Sequence, residues 1–417
     1  MAGLSSAWLL SREGFRVTVF EKGPRAGFSA HSRDFSDFVP DGKRGLPGDV
    51  PSRMFNASLW PRVTQLYRDA GIEFEPVNNQ QTFYNASGDV LLKVGLPYDV
   101  TSLLKQALNP VARELLQNVR RFQTLGRQAL RDGSADSQTF GAFLNSIDAV
   151  STQADFLNLF LFPALTSTVF TCPTKDLLTY PCRIVLDALD KISSGQHDPL
   201  MRTVHGSNDA ARRLLSGNSE FCCNTTVKRV TEQDNAALVY TDDRILDFDQ
   251  VIVATQANHA SQLVAIDDRL SSDCLAKFRY VDVSVAVHTD SSVMPARISD
   301  WGTFNFQSNS TGAAACSVWM NRFHANWPET TNFFHSIFPS DEIDPELVIA
   351  NANLQRPVVD SDSESLHRQI DSIHSRKRRT WFAGSYAARG VPLLESAVQS
   401  SHTIVNLLKS QLPNASV

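Results

Sequence analysis

The residues with the most informative spacing stand at the start of the chain. Gly3 is followed by Glu21, Lys22, Arg25 and Gly27. A glycine lets backbone N–H groups come close to a phosphate, and an acid at about this distance can hold a ribose hydroxyl. Arginine adds positive charge that suits phosphate oxygens. The pattern reads as the second half of a dinucleotide-binding unit, with Gly3 as the third glycine of G-x-G-x-x-G and Met1 and Ala2 in the positions before it. Two later segments carry residues of the same kind. The run VIVAT ends at Ala254 and Thr255, and TWFAGSYAARGVPLLES carries Gly384 and Ser385, then Leu393 and Leu394 where a helix begins. The free N–H groups of a helix start stabilise an anion. Arg53, in VPSRMF, is a further candidate for an anionic group. His31 and His288 are candidate proton donors, though single histidines are more often structural.

These residues need elements to position them. Residues 3–14 have helical apolar spacing closed by Gly14, and RVTVF at 16–20 reads as a buried strand. Residues 33–53, rich in Gly, Pro and Asp, read as a loop, followed by a helix over 58–71 and strands to about Val94. Residues 100–191 read as largely helical, with one long amphipathic helix over 111–132 whose arginines lie on a solvated face. Further helices are expected at 139–147, 153–170 and 174–192. A turn and helix follow at 201–217. TTVKRVTEQ and ALVYTDDRILDFDQVIVAT then alternate as strands, with Thr241–Arg244 as a turn. Residues 275–336 read as an antiparallel sheet. Within it Trp319, Met320 and Phe323 fit either a substrate cavity or core packing. A strand at 380–384, a loop through Gly390 and a last helix close the chain, with Pro392 in a first-turn position.

Composition bounds the function. The 417 residues are 42% hydrophobic and 20% charged, enough apolar material for a large core. A net charge of −5 argues against a nucleic-acid partner, which needs a basic face. No 18-residue apolar run is present, so no transmembrane segment is expected. The richest stretch, 156–169, is short and broken by Pro163. The six cysteines form neither a CxxC pair nor a Cys/His cluster, so no metal site is expected, and a reducing compartment fits them.

The segment GLSSAWLLSREGFRVTVFEKGPRAGFSAHS resembles the N-terminal part of FAD-dependent amine-oxidase-like flavoproteins. Arg25 and Gly27 match that family's Arg-x-Gly-Gly turn, with Phe28 in place of the second glycine. TTVKRV is similar to the family strand whose central valine, here Val227, meets the adenine. VIVAT resembles the strand whose end, here Ala254 and Thr255, passes beside the cofactor. By the same resemblance, Gly384 and Ser385 lie near the ribityl chain and pyrophosphate. The helix start at Pro392–Glu395, with Leu393 and Leu394, faces the flavin pyrimidine, and Arg53 approaches the flavin ring or an anionic substrate. Ser385 replaces an acid frequent in the family, and GVPLLES replaces the His-Glu-Asp-Gly run of bacterial relatives.

Segments DVPSRMFNASLWPRVTQLYRDAGIEFEPV, FRYVDVSVAVHTDSSVMP and SVWMNRF resemble a subgroup of amine oxidoreductases often encoded near cyclopropane-fatty-acid synthase genes. The resemblance implies an α/β fold: a Rossmann-like FAD-binding domain interleaved with an α+β substrate domain. The first would comprise 1–75, 200–262 and 370–417, the second 76–199 and 263–369. It implies FAD as cofactor and hydride transfer with a small-molecule substrate, an apolar or lipid acyl chain or an amine. VDVSVAVH at 281–288 lacks the lysine many amine oxidases carry there. That weakens simple amine oxidation and leaves desaturation, isomerisation or reduction. No catalytic residue is assigned. The resemblance also implies a first strand and two glycines upstream of Met1, so that residues 1–417 alone would bind FAD weakly. The alternative is a catalytically inactive relative with a binding or structural role.

Overall fold

The computed structural model describes residues 1–28, 31–40, 45–95, 106–147, 156–194, 198–217, 219–307, 315–324, 326–339, 343–376 and 378–411. Parts of the expected loop (41–44), of the expected helical stretch (100–105, 148–155) and the last residue of the expected final helix (412) lie outside them. Four helices frame the candidate site: α1 (Ala2–Arg12), α2 (Gly206–Leu214), α3 (Ser363–His374) and α4 (Leu394–Gln411). Strand β1 (Val17–Phe20) pairs in parallel with β2 (Ser219–Cys222), Val17 opposite Ser219. Strand β3 (Val251–Val253) pairs in parallel with β4 (Thr380–Phe382), Val253 opposite Phe382. A parallel pair needs a crossover connection, so segments remote in sequence meet here.

One apolar cluster joins both pairs. Val17 of β1, Ile252 of β3 and Trp381 of β4 pack with Leu10 of α1 and with Ile404, Val405 and Leu408 of α4. Helices α1 and α4 meet through small side chains. Ser5 Oγ donates to Ser401 Oγ at 2.8 Å, and Ser401 Oγ donates to the Ala2 carbonyl at 2.9 Å. Hydroxyls paired in this way satisfy buried polar atoms while the helices stay close. Beside these lies an antiparallel sheet of Arg229–Glu232, Ala237–Tyr240 and Ile245–Phe248. Its last hairpin turns through Thr241–Arg244, as the sequence predicts, with Thr241 N donating to the Arg244 carbonyl.

A seven-stranded sheet runs Val348–Pro357, Tyr280–His288, Phe334–Ile337, Ala315–Trp319, Phe304–Gln307, Gln81–Tyr84, Val90–Val94. It is antiparallel except where Phe304–Gln307 meets Gln81–Tyr84. One face packs Phe83, Phe304, Phe306, Cys316 and Val318 against the helices Pro110–Asp132, Phe140–Ser146 and Cys182–Ser194. Asn109 caps the first of these, and Gly133 ends it in the left-handed conformation.

Several expectations change in detail. The 33–53 stretch is not only loop: His31–Asp34 pairs antiparallel with Pro47–Val50. Its polar and glycine-rich strands carry no apolar alternation to signal them. The 174–192 helix is two, Thr174–Leu177 and Cys182–Ser194, separated around Pro181, which cannot donate an intrahelical hydrogen bond. The 156–170 helix is wound as π turns at Leu157–Leu161 and Leu165–Val169, on either side of Pro163. Strand character begins at Arg229, so Val227 lies in the extended approach to it rather than at a strand centre. Helix α4 begins at Leu394, so Pro392 lies before its first turn.

Candidate functional site

The strand β1 leads directly to Glu21. Glu21 N donates to the Cys222 carbonyl at 2.9 Å, and its carboxylate accepts from Gly23 N at 2.8 Å. These bonds fix the acid at the sheet end. Glu21 and Arg53 both lie near the start of α1. A Cβ placed on Gly3 would come within 3.3 Å of Ala254 Cβ, so α1 rests against the end of β3. Gly3, Glu21 and Ala254 are thus gathered at one place. Thr255 is exposed beyond it, and Val227 is half-buried against the cluster that holds Val253.

Lys22 and Arg25 are exposed, and Gly27 is half-buried. Phe28 turns into the core with Leu4, Trp8, Phe55 and Tyr67. Its side chain therefore points away from the turn, and its carbonyl accepts from Arg53 Nη2 at 3.4 Å. Gly384 N donates to Ser400 Oγ at 3.1 Å. A Cβ there would lie 2.6 Å from Tyr386 Cδ1, so only glycine lets the ring pack over the strand end. Ser385 is half-buried and opens the turn Ser385–Ala387. Leu393 and Leu394 are half-buried at the start of α4. The first-turn acid of α4, Glu395, faces away. It accepts from Arg62 N and Val63 N, each at 3.0 Å, and so caps the helix Pro61–Asp69.

Sequence reasoning missed two members of the site. Asp49 accepts from Ser32 Oγ at 2.8 Å, from Ser207 N at 2.8 Å and from Ser207 Oγ at 2.7 Å, at the start of α2. It lies in a stretch read as loop, and only its tertiary partners give it meaning. Arg356 lies on Val348–Pro357 opposite Val281, which packs toward the helical layer. Arg53 and Arg356 are packed round by protein and keep part of their surface accessible. Burial, then the neighbouring Arg356, lowers the Arg53 pKa to about 10, against the pull of Asp49. An arginine keeps its proton in proteins, so both side chains are cationic. Met54 and Val391 are half-buried against the same apolar cluster as Val281, which extends to the segment that leads into α4.

The two candidate histidines are placed differently. His31 is exposed. His288 is fully buried, its Nε2 bonded to Ser336 Oγ at 2.8 Å, and burial lowers its pKa to about 4. Trp319, Met320 and Phe323 are buried in three separate apolar clusters. Among the described residues no group of three or more His, Cys, Asp or Glu could hold a metal, and no helix is long and apolar enough to cross a membrane.

A family model for flavin containing amine oxidoreductases matches residues 1–401. The chain belongs to the flavin-containing amine oxidoreductases. Among curated proteins none matches it by sequence. Solved structures carry the same fold at low identity. Cyclohexylamine oxidase from Brevibacterium oxydans IH-35A is 13% identical, with a TM-score of 0.64 over 98% of this chain and 97% of that one. A fatty acid isomerase from P. acnes, described as CLA-producing, is 14% identical, with a TM-score of 0.66 over 97% and 96%. Putrescine oxidase bound to putrescine is 14% identical, with a TM-score of 0.64 over 98% and 97%. The chain is therefore an FAD-dependent oxidoreductase with an α/β architecture. Its residues are compatible with that cofactor: the Glu21 carboxylate is fixed at the end of β1, and the first N–H groups of α4 have no partner within the helix.

Proposed function

We propose that this flavoprotein moves hydride between an apolar, lipid-like substrate and FAD. In this reading FAD lies along Gly3, Glu21, Lys22, Arg25, Gly27, Arg53, Val227, Ala254, Thr255, Gly384, Ser385, Leu393 and Leu394. The segments 1–75, 200–262 and 370–417 form its domain, and 76–199 with 263–369 form the substrate domain. The observation that carries the reading is the meeting of α1, the β1 end and the β3 end at one point, built by Gly3, Glu21 and Ala254. FAD supplies the electron chemistry when bound. The chain's part is to bind and orient: Glu21 accepts from a ribose hydroxyl, and the first N–H groups of α4 stabilise negative charge at the flavin pyrimidine. The aromatic layer of Phe83, Phe160 and Phe306, with ring centroids 4.6 and 4.7 Å apart, excludes water from the substrate side.

The named substrates of the structural neighbours include amines and a fatty acid. Two features favour the apolar acid over an amine. The strand Tyr280–His288 carries no lysine, and two enclosed guanidiniums repel a cationic ammonium. The test is a titration of the protein with FAD, followed by absorbance, then anaerobic addition of acyl substrates and of alkylamines. The expected result is a perturbed flavin spectrum, weakened about tenfold by Glu21→Ala through loss of one charged hydrogen bond. Acyl compounds, not amines, should then change the flavin oxidation state. A folded protein that leaves the spectrum of FAD untouched would overturn the reading.

A further inference from the structure

The substrate side of the site contains a set of polar groups that cofactor binding does not use. Arg356 Nη2 donates to Thr171 Oγ1 at 3.3 Å. Among the described residues Arg356 makes no ion pair, and its charge acts on another cation, Arg53. The polar groups beside it are Tyr180 and Cys172, whose ionisations burial pushes up, so both are neutral at ordinary pH. The acid of this segment, Asp176, pairs through Oδ1 with Arg279 Nη2 at 2.8 Å, and its Oδ2 is buried without a hydrogen-bond partner. A guanidinium enclosed without a counter-charge is costly unless something anionic joins it.

Two further observations point to the same spot. The Tyr180 hydroxyl is buried, the Val359 backbone approaches it as a donor, and among the described residues no acceptor takes its own proton. Thr171 has φ +49°, a left-handed conformation that a β-branched residue adopts only under constraint. Such strain persists where the surrounding structure enforces it, often at ligand sites. Around these groups the surface is apolar. Cys172, Val281, Val358 and Val359 lie in the cluster that also contains Phe83, Phe306 and, next to α4, Val391.

We propose that Arg356, Tyr180 and Thr171 form a receptor for the carboxylate of an apolar acid, whose hydrocarbon part lies along the half-buried side chains Val281, Met54 and Val391 that cover the Phe83–Phe306 cluster. The fork of a guanidinium matches a carboxylate, and a phenol O–H adds a second donor. This deepens the proposed function and rests on it for the identity of the site as the substrate side. It narrows the substrate from apolar compounds in general to those with an anionic head.

The experiment is calorimetric binding of decanoate, decylamine and decanol to the FAD-loaded protein, with flavin content read by absorbance in the same samples. Wild type should bind decanoate more tightly than the other two. Arg356→Met should weaken decanoate about tenfold or more and leave decanol unchanged, because only the charged head is lost. Arg356→Lys should weaken it less, since the charge stays and the fork goes. Tyr180→Phe should also weaken decanoate and spare decanol. Equal binding of decylamine and decanoate would overturn the receptor. So would an equal loss for decanoate and decanol in Arg356→Met, a loss in Arg356→Lys as large as in Arg356→Met, or no binding of decanoate. Decanoate preference in protein that takes up no flavin would sustain the receptor and remove the flavin reading, so the two fail separately.

Discussion

At the residue scale, the site depends on absent side chains as much as on charged ones. Gly384 shows this most sharply. Any Cβ there meets the buried ring of Tyr386, which stacks edge-on with Phe278 at 5.1 Å. Gly384→Ala should therefore shift the ring or the strand end and cost about 1–3 kcal/mol, as overpacking does. Denaturant unfolding would read that loss, and a midpoint unchanged from wild type would contradict it. Gly384 could be picked out in the sequence because TWFAG ends a strand, but its steric partner could not. Phe28 is the converse case. By type it conflicts with a backbone turn against a cofactor, yet its side chain packs inward with Trp8 and Tyr67 and only its carbonyl faces Arg53. Sequence gives a residue's type and spacing; it does not give the direction of its side chain. Asp49 and Arg356 escaped notice for that reason, since Ser207 lies 158 residues from Asp49 and Thr171 lies 185 residues from Arg356.

At the element scale, hydrophobic period located most helices and strands, because a buried stripe or alternation is what their packing requires. It failed where polar residues form a ladder, as in His31–Asp34 with Pro47–Val50, and where π turns change the helical period near Pro163. Helix α3 illustrates a contact that no period predicts. His374, in its last turn, accepts from Phe382 N at 3.1 Å through Nε2 and stacks on Phe382. It thereby holds β4 just before Gly384. To accept that bond Nε2 must be unprotonated, and burial lowers the pKa from 6.5 to about 4. The unfolded chain therefore binds more protons between those values. The contribution of His374 is complete above the unfolded pKa and is lost as pH falls toward about 4. Urea midpoints should fall from about pH 7 to about pH 5, and they should fall less in His374→Gln, which no longer titrates. Equal falls in both proteins would mean that other groups carry the pH dependence. The α1–α4 contact offers a second test. Ser401 is fully buried between the helices, so Ser401→Leu should force them apart and destabilise by about 1–3 kcal/mol, with flavin uptake reduced because α1 carries Gly3.

At the scale of the whole molecule, the cofactor segments are distant in sequence and meet only through tertiary packing. Gly3 touches Ala254, β1 pairs with β2, and β3 pairs with β4. A ligand that spans these segments binds the folded chain and not the unfolded one. FAD should then raise the unfolding free energy by about 1.4 kcal/mol for each tenfold increase in concentration above its dissociation constant. The dinucleotide matters, because the proposed reading sets Glu21 and the start of α1 against the part of FAD that riboflavin lacks. Riboflavin should stabilise less than FAD at equal concentration, and Glu21→Ala should narrow the difference between them. Thermal unfolding across a concentration series of each ligand measures both slopes. If riboflavin and FAD stabilise equally, the contacts at Gly3, Glu21 and Ala254 do not bind the nucleotide half. Stabilisation would then come from the α4 end alone, where the proposed reading sets the flavin ring beside Leu393 and Leu394.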